Sequence, residues 1–213
     1  MIRRLFILCL GALAVLIGVG LPKASRSEPS FEELEPLVQK AIAWIEEQRR
    51  IFRSEGRPLN EVERQALDPF FPAEVLDEAR IAFAPRIGNP PFITELGTRA
   101  DGSLLFDVRS ASAIAFVDTV VAAETRTRPG TRRWVGLLFH ELVHLTQYRL
   151  LGTEDFIRRY IQSMVDVSFA YPAIAHEAQA FSLQRRFEGD PGNVFSVESE
   201  VRRSFRLDSS PIP

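Results

Sequence analysis

His140, Glu141 and His144, all within His140-Glu141-Leu142-Val143-His144, have the types and spacing of a metal centre. On a helix, positions four apart share one face a single turn from each other. Both imidazoles can therefore reach one cation, with Glu141 alongside. Zinc suits these donors, because neutral imidazole and carboxylate bind it at about 2.0–2.2 Å and a catalytic site keeps one position open for water. Zinc lowers the pKa of such a water to about 7, and Glu141 is placed to take its proton and later deliver it to a leaving amine. The pattern arises by chance in on the order of one chain in two hundred of this length, so it is informative without being decisive.

Two histidines leave the protein ligand set incomplete. The chain has three histidines, and the third, His176, stands beside Glu177 in His176-Glu177-Ala178-Gln179-Ala180-Phe181. Neighbours on a helix point about 100° apart, so only one of the two can join His140 and His144 on the same ion. Glu177 is the first candidate and His176 its competitor. With Glu177 on the metal, His176 is expected to donate a hydrogen bond to the oxyanion formed when water attacks a carbonyl. Gln147 lies almost one turn after His144 and reads either as a neighbour of the site or as an amide that ties down a loop. Tyr148, Tyr160 and Tyr171 read as ordinary core or boundary tyrosines rather than site residues. Asp118 interrupts an apolar strand, either near the site or at a solvent-facing edge.

The elements that must position these residues follow from hydrophobic spacing. Ser30 with Glu33 forms a capping box, and Leu34, Leu37, Val38, Ala41, Ile42 and Ile45 then recur at helical intervals, predicting a helix to about Phe52. A short helix over 60–67 and a third segment over 68–79 follow the break at Gly56-Arg57-Pro58. Residues 85–91 read as loop. Apolar and β-branched residues over 103–108 and 113–122 predict two strands that can pair as a hairpin. Thr131 can cap the motif helix, which Gly152 ends. A helix from about 153 to 167 and another after Pro172, ending near Gly189, complete the expected fold. The whole reads as α+β, mostly α-helical, with a small sheet preceding the motif helix. Residues 28–192 are expected to form one domain and 193–213 a loosely packed tail.

Composition sets limits on function. Apolar residues at 46% and charged residues at 25% are ordinary for a folded domain, which leaves no case for wholesale disorder. A net charge of −2, with only scattered arginine pairs such as Arg132-Arg133 and Arg158-Arg159, excludes the dense positive face that nucleic acid requires. Arg3 and Arg4 precede an apolar run from Leu5 to Leu21, and a polar stretch follows it. This is the layout of a signal peptide or an N-terminal membrane anchor over residues 1–27. The expected location is therefore export, periplasmic or extracellular, with any membrane attachment through that segment. Cys9, the single cysteine, lies inside the run, so the exported part has neither a disulfide framework nor a thiolate-bound metal.

The segment Leu138-Phe139-His140-Glu141-Leu142-Val143-His144-Leu145-Thr146-Gln147-Tyr148, with the downstream Glu177-Ala178-Gln179-Ala180, resembles gluzincin-type zinc metallopeptidases. The resemblance is closest to the small bacterial zincin-like domains of unassigned function. It extends over about residues 68–190 and is specific around 138–149 and 174–181. It implies a zincin-like fold, Zn2+ held by His140, His144 and Glu177, Glu141 as base, and a peptide or protein substrate. The metzincin pattern fails, since Gln147 and Leu150 stand where glycine and histidine are required. Many gluzincins have aspartate four residues after the ligand glutamate; here Phe181 takes that place, so the group that orients a ligating imidazole is left unassigned. The alternative reading is a noncatalytic zincin-like metal-binding or envelope interaction domain.

Overall fold

The computed structural model describes residues 31–190 and 192–207. The expected signal or anchor over 1–27 and the capping residue Ser30 lie outside the described residues. The chain runs α1 (Phe31–Glu55), α2 (Glu61–Leu67), α3 (Ala73–Glu78), β1 (Arg80–Ala84), β2 (Ala113–Phe116) and β3 (Thr119–Ala123). It continues through α4 (Arg132–Leu151), α5 (Thr153–Asp166), α6 (Ala175–Gly189) and α7 (Val197–Phe205). The fold is α+β and mostly helical, with one three-stranded sheet ahead of α4.

In the sheet, β3 is central, parallel to β1 and antiparallel to β2. Every residue of β3 is buried, so the strand reads as a continuous apolar run without alternation. The expected strand over 113–122 is in fact two strands reversed at Val117-Asp118. The turn escapes a sequence reading because it has no glycine or asparagine and instead holds β-branched Val117 at φ 60°. That left-handed conformation costs about 1–2 kcal/mol. Asp118 secures the turn through ion pairs to Arg49 and to Arg53, the latter at 2.8 Å, both on α1. Asp118 is thus an anchor between hairpin and helix and not a member of the His140, His144 and Glu177 group. The expected strand over 103–108 is not formed: Leu104 makes only an isolated bridge to Thr98, and a 3-10 turn follows at Val108–Ser110. The first strand is instead β1, a five-residue run hidden between α3 and Pro85.

Helix α4 matches its expected bounds: the Thr131 side chain accepts from the Trp134 N–H, and Gly152 at φ 77° ends the helix. Its residues from Leu138 to Tyr148 are all buried, so it is the central element of the core. At Gly136 the Glu188 carboxylate of α6 occupies the space a side chain would take. Residues 193–213 are not a loose tail as far as they are described. Ser196 caps α7, and Phe195, Val197 and Val201 are buried in the core that α4 shares with Phe70 and Phe187. No helix among the described residues is long and apolar enough to cross a membrane.

Candidate metal centre

Helices α4 and α6 bring His140, His144 and Glu177 together, each 6% exposed or less. The Nε2 atoms of the two histidines are 3.1 Å apart, and Glu177 Oε2 lies 3.4 Å from His140 Nε2 and 3.5 Å from His144 Nε2. A tetrahedral ion with bonds of about 2.0–2.1 Å requires ligand separations of about 3.3–3.4 Å, close to all three edges. A circle through the three atoms has a radius of about 1.9 Å, so a point about 2.05 Å from each lies about 0.7 Å off their plane, as in a tetrahedron with its fourth vertex free. The group could therefore hold a metal ion.

The surrounding amides fix which nitrogens face the centre. The Gln147 amide NH2 donates to the His176 carbonyl oxygen (3.2 Å) and to Gln179 Oε1 (2.9 Å), which turns its Oε1 toward His144 Nδ1 at 2.8 Å. Likewise the Gln184 NH2 donates to Glu188 Oε1 (2.9 Å), leaving Gln184 Oε1 to accept from His140 Nδ1 at 3.1 Å. Both imidazoles thus carry a hydrogen on Nδ1 and turn Nε2 toward each other, where a metal ion or, on one ring, a second proton can sit between them. Glu177 Oε1 accepts from the Tyr160 hydroxyl at 2.9 Å, whereas Oε2 is buried without a hydrogen-bond partner. With both rings neutral that oxygen would face two lone pairs, which is costly unless a metal ion or a proton on one ring lies between them.

Charge in the metal-free protein follows the same geometry. Burial opposes a charge on His144, but the neighbouring Glu177 carboxylate outweighs it and lifts the imidazole to about 9. Burial likewise opposes ionisation of Glu177, and the nearby His144 and His140 rings hold it well below the ordinary carboxylate range. Burial raises the carboxyl of Glu141. Glu141 borders, with His144 and Glu177, a cavity of ≈ 530 Å³ enclosed by α1, α5, β2 and the chain crossing from β1 to β2. Tyr148, Tyr160 and Tyr171 line it too.

His176 does not reach this group. One position from Glu177, it faces away and packs between the rings of Phe156 (4.5 Å), Phe205 (4.7 Å) and Tyr160 (5.5 Å). Both its ring nitrogens are buried and unpartnered, and burial pushes its pKa down to about 3. The expected oxyanion donor is therefore corrected to a packed aromatic. Its backbone carbonyl, not its ring, serves the site by anchoring Gln147. Tyr160 shares an apolar stripe with Phe156, Ile157 and Ile161, so spacing alone cannot separate a wall residue from a core residue. Gln184 had a usable signal: it follows Glu177 by seven residues, about two turns, and thus lies on the same face.

The cavity also meets an unpaired strand edge. The Ala123 N–H donates to the Ser112 carbonyl, and antiparallel alternation then commits Ile114 and Phe116 to β3 and turns the N–H and C=O of Ala113 and Ala115 outward. All four residues of β2 line the cavity, which places it along this free edge rather than on one face of the sheet.

No family model matches the chain, nor does any curated protein or solved structure.

Proposed function

We propose that the protein is a zinc-dependent hydrolase with a zincin-like fold, a metallopeptidase in which His140, His144 and Glu177 hold the ion and Glu141 is the base. The observation that carries this reading is the open tetrahedral fit of three buried donors, two of which, His144 and Glu177, border the same cavity as Glu141. Zinc in such a site supplies a Lewis acid that polarises a carbonyl and makes a bound water acidic near neutral pH. The chain's own residues do the rest. Glu141, in a desolvated position where burial raises its carboxyl, accepts a proton from the attacking water and returns it to the leaving nitrogen. Gln147 and Gln184 hold the imidazoles in one tautomer, and Tyr160 fixes Glu177 so that Oε2 alone faces the ion. Tyr148 and Tyr171 line the cavity and are the candidate donors to a developing oxyanion. The outward N–H and C=O groups of β2 favour an extended peptide as substrate, since main-chain pairing along a strand edge is a recurring mode of peptide recognition.

We also propose that the protein is exported, to the periplasm or beyond, by the segment over residues 1–27 read as a signal peptide or anchor.

Metal analysis of the soluble domain is expected to give about one zinc per chain. Glu141→Gln should keep that zinc and lower peptide hydrolysis by about 10²–10⁴-fold. A wild type that retains zinc yet cleaves nothing across a broad peptide library would reduce the centre to a structural or partner-binding metal.

A further inference from the structure

Arginines without partners gather at one end of the sheet. β1 and β3 are parallel and leave the sheet side by side, with Ala84 opposite Ala123. Just beyond, the Glu124 N–H donates to the Ala84 carbonyl oxygen at 2.9 Å and the Thr125 hydroxyl to that of Pro85 at 3.2 Å. Arg86 is thereby brought beside the loop that carries Arg126 and Arg128, and this loop leads into Arg132 and Arg133 of α4. All of these arginines are exposed. Arg132 is held to the end of α6 by its bond to the Glu188 carbonyl oxygen (2.7 Å), whereas the side chains of Arg86, Arg126, Arg128 and Arg133 make no hydrogen bond or ion pair among the described residues. Between Glu124 and Glu141 the chain has no acid at all. Neither pairing nor helix stability accounts for this group. Outside it, the exposed Arg50, Arg149, Arg159 and Arg203 each have a carboxylate partner. Among the described helices, every one but α4 has an acid in its first turn; α4 starts on two arginines, against the positive pole of its own dipole.

We propose that this arginine face docks the protein on an anionic phospholipid bilayer. Free guanidinium groups suit phosphate esters, and a bilayer presents these as a plane that several arginines meet at once. The course of α1 favours a membrane over a soluble polyanion. Arg49 pairs with Asp118 at the β2–β3 turn, and Trp44, nearer the start of α1, packs on Phe116 at 5.3 Å. Followed toward its start, α1 thus leads away from that turn, to the end of the sheet that bears the arginines. The apolar segment over residues 1–27 precedes this helix, so a membrane that receives the segment also meets the arginine face. A basic patch beside a single apolar anchor turns marginal membrane binding into stable binding. The proposal takes from the reading above only the link between residues 1–27 and a membrane; it needs neither zinc nor hydrolysis.

The test uses the full chain, synthesised in vitro with an equal mixture of two vesicle populations that are afterwards separated. One is phosphatidylcholine alone and the other contains about 30% phosphatidylglycerol. The chain is expected to favour the anionic vesicles at least about tenfold at low salt and to lose that preference at about 0.5 M salt, where charges are screened within a few Å. Arg86→Gln, Arg126→Gln, Arg128→Gln and Arg133→Gln combined should bring the ratio close to one, since each arginine near such a surface is worth about fivefold. Arg50→Gln, Arg149→Gln, Arg159→Gln and Arg203→Gln combined change the net charge equally and should leave the preference in place. Circular dichroism should not distinguish the two variants. Equal partition of the wild type between the vesicles would overturn the proposal and leave residues 1–27 as the anchor. An equal loss of preference in both variants would overturn it too, reducing the effect to net charge. Binding of inorganic polyphosphate without a vesicle preference would also overturn it and assign the face to a soluble polyanion. A wild type that prefers anionic vesicles yet is washed off by high salt would support the docking face and remove the anchor reading alone.

Discussion

Helix α4 takes part in two buried glutamate clusters, and they differ in one respect. Near its start, Glu63 of α2 accepts two bonds from Arg57 (2.7 Å each), one from Trp134 Nε1 (2.7 Å) and one from the Asn60 N–H (2.9 Å). A turn and a half further on, Glu177 has a donor for Oε1 and none for Oε2. Both carboxylates are almost wholly buried, yet the first has hydrogen-bond donors for both oxygens and the second for only one. A polar cluster that serves only the fold ends with its acceptors filled. One that leaves an acceptor and two lone pairs converging on an open point is built for something the chain does not itself supply.

The comparison breaks most sharply at Glu177. Glu177→Ala removes a ligand and is expected to weaken zinc binding by more than about 100-fold in a competition assay with a chromophoric chelator. The metal-free protein should stay folded, with a loss of stability limited to the Tyr160 hydrogen bond and the ion pair with His144. Glu63→Ala should do the reverse. It strips the acceptor from Trp134, Arg57 and Asn60 at once and is expected to cost about 2–3 kcal/mol in urea unfolding, with zinc uptake intact. A variant at Glu63 that lost zinc, or one at Glu177 that unfolded, would erase the distinction.

The smaller effects sharpen it. Gln147→Leu keeps the volume but frees the His144 Nδ1 hydrogen, and zinc affinity should fall by about tenfold. The pH dependence gives a further contrast. The pKa of His144 in the metal-free fold is raised to about 9 from an ordinary 6.5, so its ion pair stabilises fully below 6.5 and is lost as pH rises through about 9. Glu177 is shifted the other way, so its contribution holds above 4.5 and fails as pH falls below it. Metal-free protein should therefore lose melting temperature between pH 6.5 and 9, whereas zinc-loaded protein should not, because the ion takes the place of the proton. Equal slopes with and without zinc would contradict this.

What the sequence shows of the molecule follows the range of the interactions involved. The motif helix, its Thr131 cap and its Gly152 stop are local, and their spacing alone places His140 and His144 on one face with Glu141 beside them. Glu177 is a longer reach, favoured because the small residues of its helix promise close packing, and Ala180 is wholly buried. The rest depends on contacts distant in sequence. β1 gains its strand character only by pairing with β3, across a connection that contains β2. The Val117-Asp118 reversal is held by arginines of α1 rather than by a turn residue. α7 becomes a packed helix because Val197 and Val201 meet the core. His176 and Glu177 adjoin in sequence but face opposite environments, and nothing local says which of the two is the ligand.

The most direct measurement of the central claim is X-ray absorption at the zinc edge on protein loaded with one equivalent of zinc, compared with the Glu177→Ala variant. The account requires four nitrogen or oxygen neighbours at about 2.0–2.1 Å, with the outer-shell scattering of two imidazoles. In the variant one protein oxygen should be lost. A zinc with no imidazole signature, or a spectrum unchanged by Glu177→Ala, would contradict it.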